Sequence, residues 1–374
     1  MIKMMLSIIL TSMALYTGLL LNHWFGPHPN LDYNPNRSHH RPDGFVNRYM
    51  ARAKPPDMGK WQRERWKAGY PKPPAAPITG VTPNISLIHA NTTNIRVTWV
   101  GHSTILLQID GINLLTDPHF SDRASPVSFL GPKRHQPPGI ALHDLPPIHG
   151  VLISHNHYDH LDENSIQQLM NQNPDIQFYV PLGVQHWFKR NIKGAILSGN
   201  DRNVTAFDWD DQIQINGKTA PIHLHFLAVQ HWSARTLFDR YQTLWGSWAI
   251  LHPHFRFWFS GDLGYSPDTA VIGKSFGKFD MAAIAIGAYL PRWVMASSHI
   301  TPDEAIQVMK DVNAKESIGI HWGTFELADE SLDQPPKDLK EALKSHHPTP
   351  NFRVLKHGQT VLVHGSPPII STVP

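Results

Sequence analysis

The chain of 374 residues contains no cysteine. That single absence removes structural disulfides, thiolate nucleophiles, Cys-ligated zinc and a lipid-modified N-terminal cysteine. Any metal it binds must be held by His, Asp or Glu. The compartment stays open, since a chain without thiols suits reducing and oxidising surroundings alike. Net charge is also scarce: 33 Lys and Arg stand against 30 Asp and Glu, for a balance of +3, and only 17% of residues are charged. Composition therefore implies no nucleic-acid tract, and a zinc nuclease would want a larger basic face. No repeat of fixed period is visible. The length exceeds one average domain and predicts a sizeable buried core.

Histidine, by contrast, is abundant at 25 residues, far more than the roughly half-dozen ligands of a two-metal site. Most are therefore not ligands, and isolated ones such as His39, His135 and His347 read as exposed or hydrogen-bonded side chains. The informative stretch is Ser154 to Asp162, which places His155, His157, Asp159, His160 and Asp162 directly after the apolar run Gly150-Val151-Leu152-Ile153. This is the pattern of a metal site at the end of a buried strand. The His-x-His-x-Asp-His order offers more nitrogen and oxygen donors than one tetrahedral zinc takes from a single loop, so a two-metal centre is the natural reading.

The chain divides into three parts. Residues 1–22 carry an uncharged apolar run from Met4 to Leu21, at the lower edge of what spans a ~30 Å hydrocarbon core. It lacks an Ala-x-Ala cleavage site, so a single-pass membrane anchor is preferred to a removed signal peptide. Lys3 and the amino terminus on one side compete with Arg37 and Arg41 on the other, which leaves the side of the membrane undecided. Residues 23–91 are rich in Pro, Arg, Lys and Trp and read as an extended arm. Within it, Met58 to Ala68 predicts a short amphipathic helix whose two tryptophans pack on the body or sit at a lipid interface. Residues 92–374 alternate short apolar runs with turns. They predict many strands, with helices at Glu163 to Met170, Val184 to Asn191 and Pro302 to Val312. The last opens on Thr301-Pro302-Asp303-Glu304, a capping-box sequence with proline at the first helical position. The class is α/β: a sheet sandwich clothed by helices in one catalytic domain.

Missing ligands should also follow apolar runs, because strands hold a metal shell more rigidly than free loops. Three places fit: Phe226 to Val229 leads to His231, Phe257 to Ser260 leads to Asp262, and Ile318 to Ile320 leads to His321. The glycines beside Asp262 and His321 allow close backbone approach.

The ordered series of that loop, a His, an Asp in Gly-Asp-x-Gly and a final His resembles the metallo-β-lactamase superfamily from about Asn94 onward. The segments LLTDP, GPKR, QHWSART, FSGDLGY, HITPDEA and HWGTF narrow the resemblance to the N-acyl-phosphatidylethanolamine-hydrolysing phospholipase D branch, including its bacterial relatives. The resemblance implies an αββα four-layer sandwich with two zinc ions at its edge. One would be held by His155, His157 and His231, the other by Asp159, His160 and His321, with Asp262 bridging. Asp117 and His102 are candidates to hold ligand rings from behind, and Asp162 reads as a helix cap. His299 matches a position the family marks as functional; it either acts near the leaving group or supports the start of the helix at Pro302. A dizinc-bound hydroxide would convert N-acyl-phosphatidylethanolamine into phosphatidic acid and an N-acylethanolamine.

The implied partner is a membrane phospholipid, with the enzyme membrane-associated; the resemblance also allows a homodimer, for which the sequence shows no interface signal. The insertion from Phe120 to Ile148 brings Phe129, Leu130, Pro132, Lys133 and Arg134 together, a mixture that suits either anionic headgroups or a proline-rich surface loop folded over the sandwich. The alternatives are a sugar-phosphate lactonase on the same metals and, outside catalysis, a membrane-anchored scaffold with a vestigial site. The second would have lost ligands, and none is missing.

Overall fold

The computed structural model describes residues 29–363 apart from 53–55, 70–73, 75–77, 91–93, 201 and 237. The apolar run at residues 4–21 lies outside the described residues. Among those described, no helix is long and apolar enough to cross a membrane.

A small hairpin, β1 (His40–Arg41) and β2 (Gly44–Phe45), precedes two seven-stranded sheets. The first holds β3 (Ile95–Gly101), β4 (Thr104–Ile109), β5 (Ile112–Thr116), β6 (Gly150–Leu152), β7 (Gln177–Pro181) and β8 (Val204–Phe207) in chain order. The second holds β9 (Gln212–Asn216), β10 (Pro221–Leu227), β11 (Ser247–His252), β12 (Phe255–Phe259), β13 (Phe279–Ala285), β14 (Ala314–Ile320) and β15 (Phe352–Val354). The chain then returns to the first sheet as β16 (Thr360–Val363), beside β3. Each sheet is antiparallel at its beginning and parallel at its end: β3 to β5 and β9 to β12 pair antiparallel, while β5 to β8 and β12 to β15 run parallel. This is the metallo-β-lactamase αββα fold.

The two-residue period of the strands decides what faces what. In β4, Ile105, Leu107 and Ile109 enter the core between the sheets with Phe226, Trp248 and Phe257. Leu106 points the other way and joins Leu115, Val151, Phe178 and the apolar stripe of two helices, Ile166 and Leu169 with Val184 and Phe188. Those helices, Glu163–Gln172 and Val184–Asn191, follow the predicted spans closely. A third, Pro302–Asp311, buries Ala305, Ile306, Val308 and Met309, and its start is the predicted capping box, with Thr301 and Glu304 each bonding the other's backbone. Each large apolar side chain so buried contributes about 1.5–3 kcal/mol.

The arm is more tightly bound to this body than an extended linker would be. Phe45 is buried in the core between the sheets, His39 and His40 both bond the Asp208 carboxylate, and Asn47 bonds the backbone of His231 in both directions. The helix Met58–Ala68 forms where expected. Its Trp61 is buried and donates to Asp329, whereas Trp66 faces solvent.

Candidate metal centre

The parallel strands of the two sheets stop at one edge of the sandwich, and polar residues follow several of them. Asp117 comes just after β5, the His155 to His160 loop after β6, Asp262 after β12 and His321 directly after β14, while β10 leads to His231. Strand ends in α/β sheets are natural binding edges because the last backbone groups and the side chains beyond them converge there. His102, in the β3–β4 turn, Asp117 and His321 all have positive φ, at 50°, 33° and 62°. For non-glycine residues that conformation is costly, and it concentrates at functional sites. Gly261, at φ +56°, brings the Asp262 turn against Ser154, where an added Cβ would meet the Ser154 Cβ at 2.6 Å.

Two groups of donors face one another. In the first, His155 Nε2 and His157 Nδ1 are 2.8 Å apart and His231 Nε2 is 3.4 Å from the same His157 nitrogen. In the second, Asp159 Oδ2 lies 3.3 Å from His160 Nε2 and 3.3 Å from His321 Nε2. Asp262 stands between them. Its Oδ2 is 3.2 Å from His160 Nε2 and 3.1 Å from His321 Nε2, and 3.9 Å from both His155 Nε2 and His231 Nε2. All seven ligands expected from the sequence are thus brought together.

Behind them, the non-facing ring nitrogens of His155, His160 and His231 are tied down, while those of His157 and His321 have no hydrogen-bond partner. Asp117 accepts from His160 Nδ1 at 2.7 Å, and from Ser154 through its N–H at 2.7 Å and its hydroxyl at 2.5 Å. With its proton given to Asp117, the Ser154 oxygen accepts from His155 Nδ1 at 2.8 Å. His231 Nδ1 donates to the Ser298 carbonyl at 2.9 Å. His102 Nε2 bonds Asp159 Oδ2 at 2.9 Å. Of the two residues expected to support ligand rings, Asp117 contacts the His160 ring, whereas His102 contacts the Asp159 carboxylate. Asp162 stands at the start of its helix, but its carboxylate serves Ser121 and the Ser165 hydroxyl rather than the helix N–H groups.

His299 reaches the edge of the cluster, with Nδ1 3.9 Å from Asp262 Oδ2. Its carbonyl is held by Arg292, which also pairs with Glu304. Sequence reasoning gave no role to Ser154, Asn47 or Arg235. Arg235 donates to the carbonyls of Asn156 and Leu161 at 2.9 and 2.8 Å, and its guanidinium lies over the rings of Tyr158 and Trp187. It had a signal, in the QHW-x-x-RT segment, but only the fold reveals that it clamps the histidine loop. Arg134, expected to face headgroups, turns inward onto His119 and the Phe325 ring, while Phe129, Leu130 and Lys133 remain exposed.

The electrostatics suit a cation. Burial holds His155 and His231 well below the ordinary imidazole range and His157 at about 3, so these rings are neutral and present lone pairs. Burial alone would also depress His160 and His321, but the Asp262 and Asp159 carboxylates overcome it, raising His160 and bringing His321 to about 9. The same carboxylates, which burial would neutralise, are held ionised by those imidazoles. This half of the cluster therefore demands positive charge. The buried Nε2 atoms of His160 and His321 and Oδ1 of Asp262 have no hydrogen-bond partner, a costly condition unless an ion satisfies it. An all-nitrogen-and-oxygen donor set fits zinc and other first-row metals alike.

Comparison with known proteins agrees with this geometry. The beta-lactamase superfamily domain matches residues 112–322. N-acyl-phosphatidylethanolamine-hydrolyzing phospholipase D 1 of Caenorhabditis elegans is 44% identical over 250 residues, 66% of this chain and 69% of that protein. The mitochondrial N-acyl-phosphatidylethanolamine-hydrolyzing phospholipase D of Saccharomyces cerevisiae is 34% identical over 65% of this chain and 50% of its own length. Among solved structures, isothiocyanate hydrolase from Delia radicum gut bacteria superposes with a TM-score of 0.55 at 16% identity, covering 73% of this chain and 100% of that one. That last likeness is one of fold alone.

Proposed function

Because the chain belongs to the N-acyl-phosphatidylethanolamine-hydrolysing phospholipase D-like branch of the metallo-β-lactamase superfamily, we propose that this hydrolase cleaves N-acyl-phosphatidylethanolamine at a pair of zinc ions. The products would be phosphatidic acid and an N-acylethanolamine. The observation that carries the two-ion reading is the single Asp262 oxygen within 3.9 Å of four imidazole nitrogens drawn from both donor groups. His155, His157 and His231 would hold one ion, Asp159, His160 and His321 the other, and Asp262 would join them. When bound, such a pair supplies a water that loses its proton near pH ~7 instead of ~15.7, and positive charge opposite the phosphoryl oxygens.

The chain's own residues have separable tasks. Asp117 keeps the proton of His160 on Nδ1 and, through Ser154, that of His155 on Nδ1 as well, leaving both Nε2 lone pairs directed inward. The Ser298 carbonyl does the same for His231. His299 belongs to neither donor group. Burial takes its pKa down to about 4, so the ring is neutral and offers an N–H to the leaving oxygen of the ethanolamine side instead of acting as an imidazolium acid.

The test is metal analysis of the purified full chain followed by mass-spectrometric product analysis on N-acylated and plain phosphatidylethanolamine. Two equivalents of zinc and phosphatidic acid from the N-acylated lipid are expected. Release of phosphatidic acid from neither lipid, with turnover of a lactone instead, would overturn the reading.

A further inference from the structure

A groove of about 1950 Å³ runs along the outer side of the histidine loop, where Asn156 and Tyr158, the neighbours of His157, form part of its wall. Its other walls are Pro29–Asp32, the start of the 120–148 insertion, and the loop around Phe238. Large apolar side chains stand exposed on and beside its rim: Leu31 is 71% exposed and Phe238 49%, while Phe129 and Leu130, just past the lining residue Ser128, are 78% and 67% exposed. Isolated exposed apolar residues are ordinary, but several from three separate segments around one opening mark a contact surface. Their supports are rigid. Arg123 bonds the carbonyls of Ser128 and Gly131 across the base of the Phe129 tip, and Asp239 accepts the N–H groups of Arg235 and Thr236 beneath Phe238.

The occupant follows from the length of chain leading into this groove. Leu21 ends the uncharged apolar run, and only seven residues, 22–28, separate it from Pro29. Asn30 is fastened to the body by hydrogen bonds to the carbonyls of Pro42 and Gly44. Eight Cα steps reach at most roughly 28 Å. If residues 4–21 are embedded in a bilayer, the lipid surface lies within that distance of Pro29, beside the groove. Arg190 and Lys193, which line it, form no ion pair among the described residues and can meet lipid phosphates.

We propose that this groove is the face the enzyme turns to the phospholipid bilayer, with Leu31, Phe129, Leu130 and Phe238 entering the interfacial layer. The inference deepens the reading of a membrane phospholipid substrate and rests on it, since docking there sets lipid headgroups beside the histidine loop.

The cysteine-free chain makes the test clean. Single variants Phe129→Cys, Leu130→Cys and Phe238→Cys, with Trp66→Cys and Leu362→Cys as references, are labelled with an environment-sensitive fluorophore. Each full chain is placed in vesicles of phosphatidylcholine and phosphatidylglycerol carrying spin-labelled quencher lipids. Labels at 129, 130 and 238 are expected to shift to the blue and lose most of their emission to the quencher, while label 362, on the edge strand β16, does neither. Water-like spectra at 129 and 238, or quenching only at 66, would overturn the proposal, and so would failure of the chain to bind vesicles. A blue shift without lipid quenching would overturn it in favour of contact with a second copy. Product analysis on the same vesicles is independent, so loss of the docking face and loss of the phospholipase reading are separately visible.

Discussion

Replacing Asp117 with Asn changes one oxygen to an NH₂ group and should disturb both halves of the metal cluster. The carboxylate accepts from His160 Nδ1 and from the Ser154 hydroxyl, and that hydroxyl accepts from His155 Nδ1. An amide can still accept from the Ser154 N–H, but its other atom now donates. His160 must then receive at Nδ1 and carry its proton on Nε2, the atom directed at Asp159 and Asp262. If the Ser154 oxygen receives the amide's other hydrogen, its own proton goes to His155 Nδ1, and His155 also becomes protonated on Nε2. Loss of such a supporting partner typically costs 10–100-fold in metal affinity, or about 1.4–2.8 kcal/mol for each ligand ring. Asp117→Asn should therefore weaken binding of both ions, while Ser154→Ala weakens mainly the one held by His155, His157 and His231. Competition against a chelator, read as metal equivalents per chain by mass spectrometry, separates the cases. Wild-type retention of both ions by Asp117→Asn at every chelator concentration would refute the relay.

Asp262→Ala should abolish both metal content and activity, whereas His299→Ala should keep the metal and lower the turnover number by the ~10²–10³-fold expected on losing one hydrogen-bond donor to a developing oxyanion; loss of metal from His299→Ala would remove its assignment as a non-ligand. Arg235→Ala deletes two charged hydrogen bonds to the backbone of the histidine loop and should cost about 2–4 kcal/mol in urea unfolding, with Arg235→Lys recovering little of it, and unchanged unfolding would show the clamp to be idle. His357 is buried against Trp99 and Trp322, and burial lowers its pKa from 6.5 to about 3. Between those values the unfolded chain binds a proton that the native one does not, so stability falls as the pH drops below about 6.5. At pH 5 the deficit approaches ~2 kcal/mol, and His357→Gln should flatten that part of the stability profile, measured as urea midpoints at pH 7 and pH 5.

Much of the site was legible because its ligands obey a local rule: each follows an apolar run, and apolar runs in a two-sheet protein are strands. Asp262 and His321 needed no more than that. The helix at Pro302 was equally plain, since its start is written in four consecutive residues. Arg235 illustrates the limit. Its partners are the carbonyls of Asn156 and Leu161, and a backbone carbonyl leaves no trace in the sequence. The arm misled for a related reason. Proline and charge dominate its composition, yet Phe45 enters the core between the sheets and Asn47 braces His231, and neither has a periodic neighbour to announce it. Arg134 shows the same gap from the other side: a cation beside Phe129 and Leu130 reads as surface until the fold supplies His119 and Phe325 to receive it.

The centre also opposes the economy of the rest of the fold. Elsewhere, strand side chains alternate between the core between the sheets and the helix-covered faces. At the parallel-strand ends, the chain instead buries the five imidazoles of His102, His155, His160, His231 and His321, and half-buries that of His157, against three carboxylates, holds His102, Asp117 and His321 at positive φ, and leaves inward-facing nitrogens without partners. Each such feature costs of order 1–3 kcal/mol. A scaffold released from catalysis would lose this arrangement first, since nearly any apolar substitution there would relieve strain or burial cost. Its persistence beside a complete donor set argues for an ion-binding, working site and against a vestigial one. The candidate ligands come from both halves of the sandwich, His155 to His160 from the first sheet and His231, Asp262 and His321 from the second, so metal bound there would also join the two sheets at the edge where the strands themselves end.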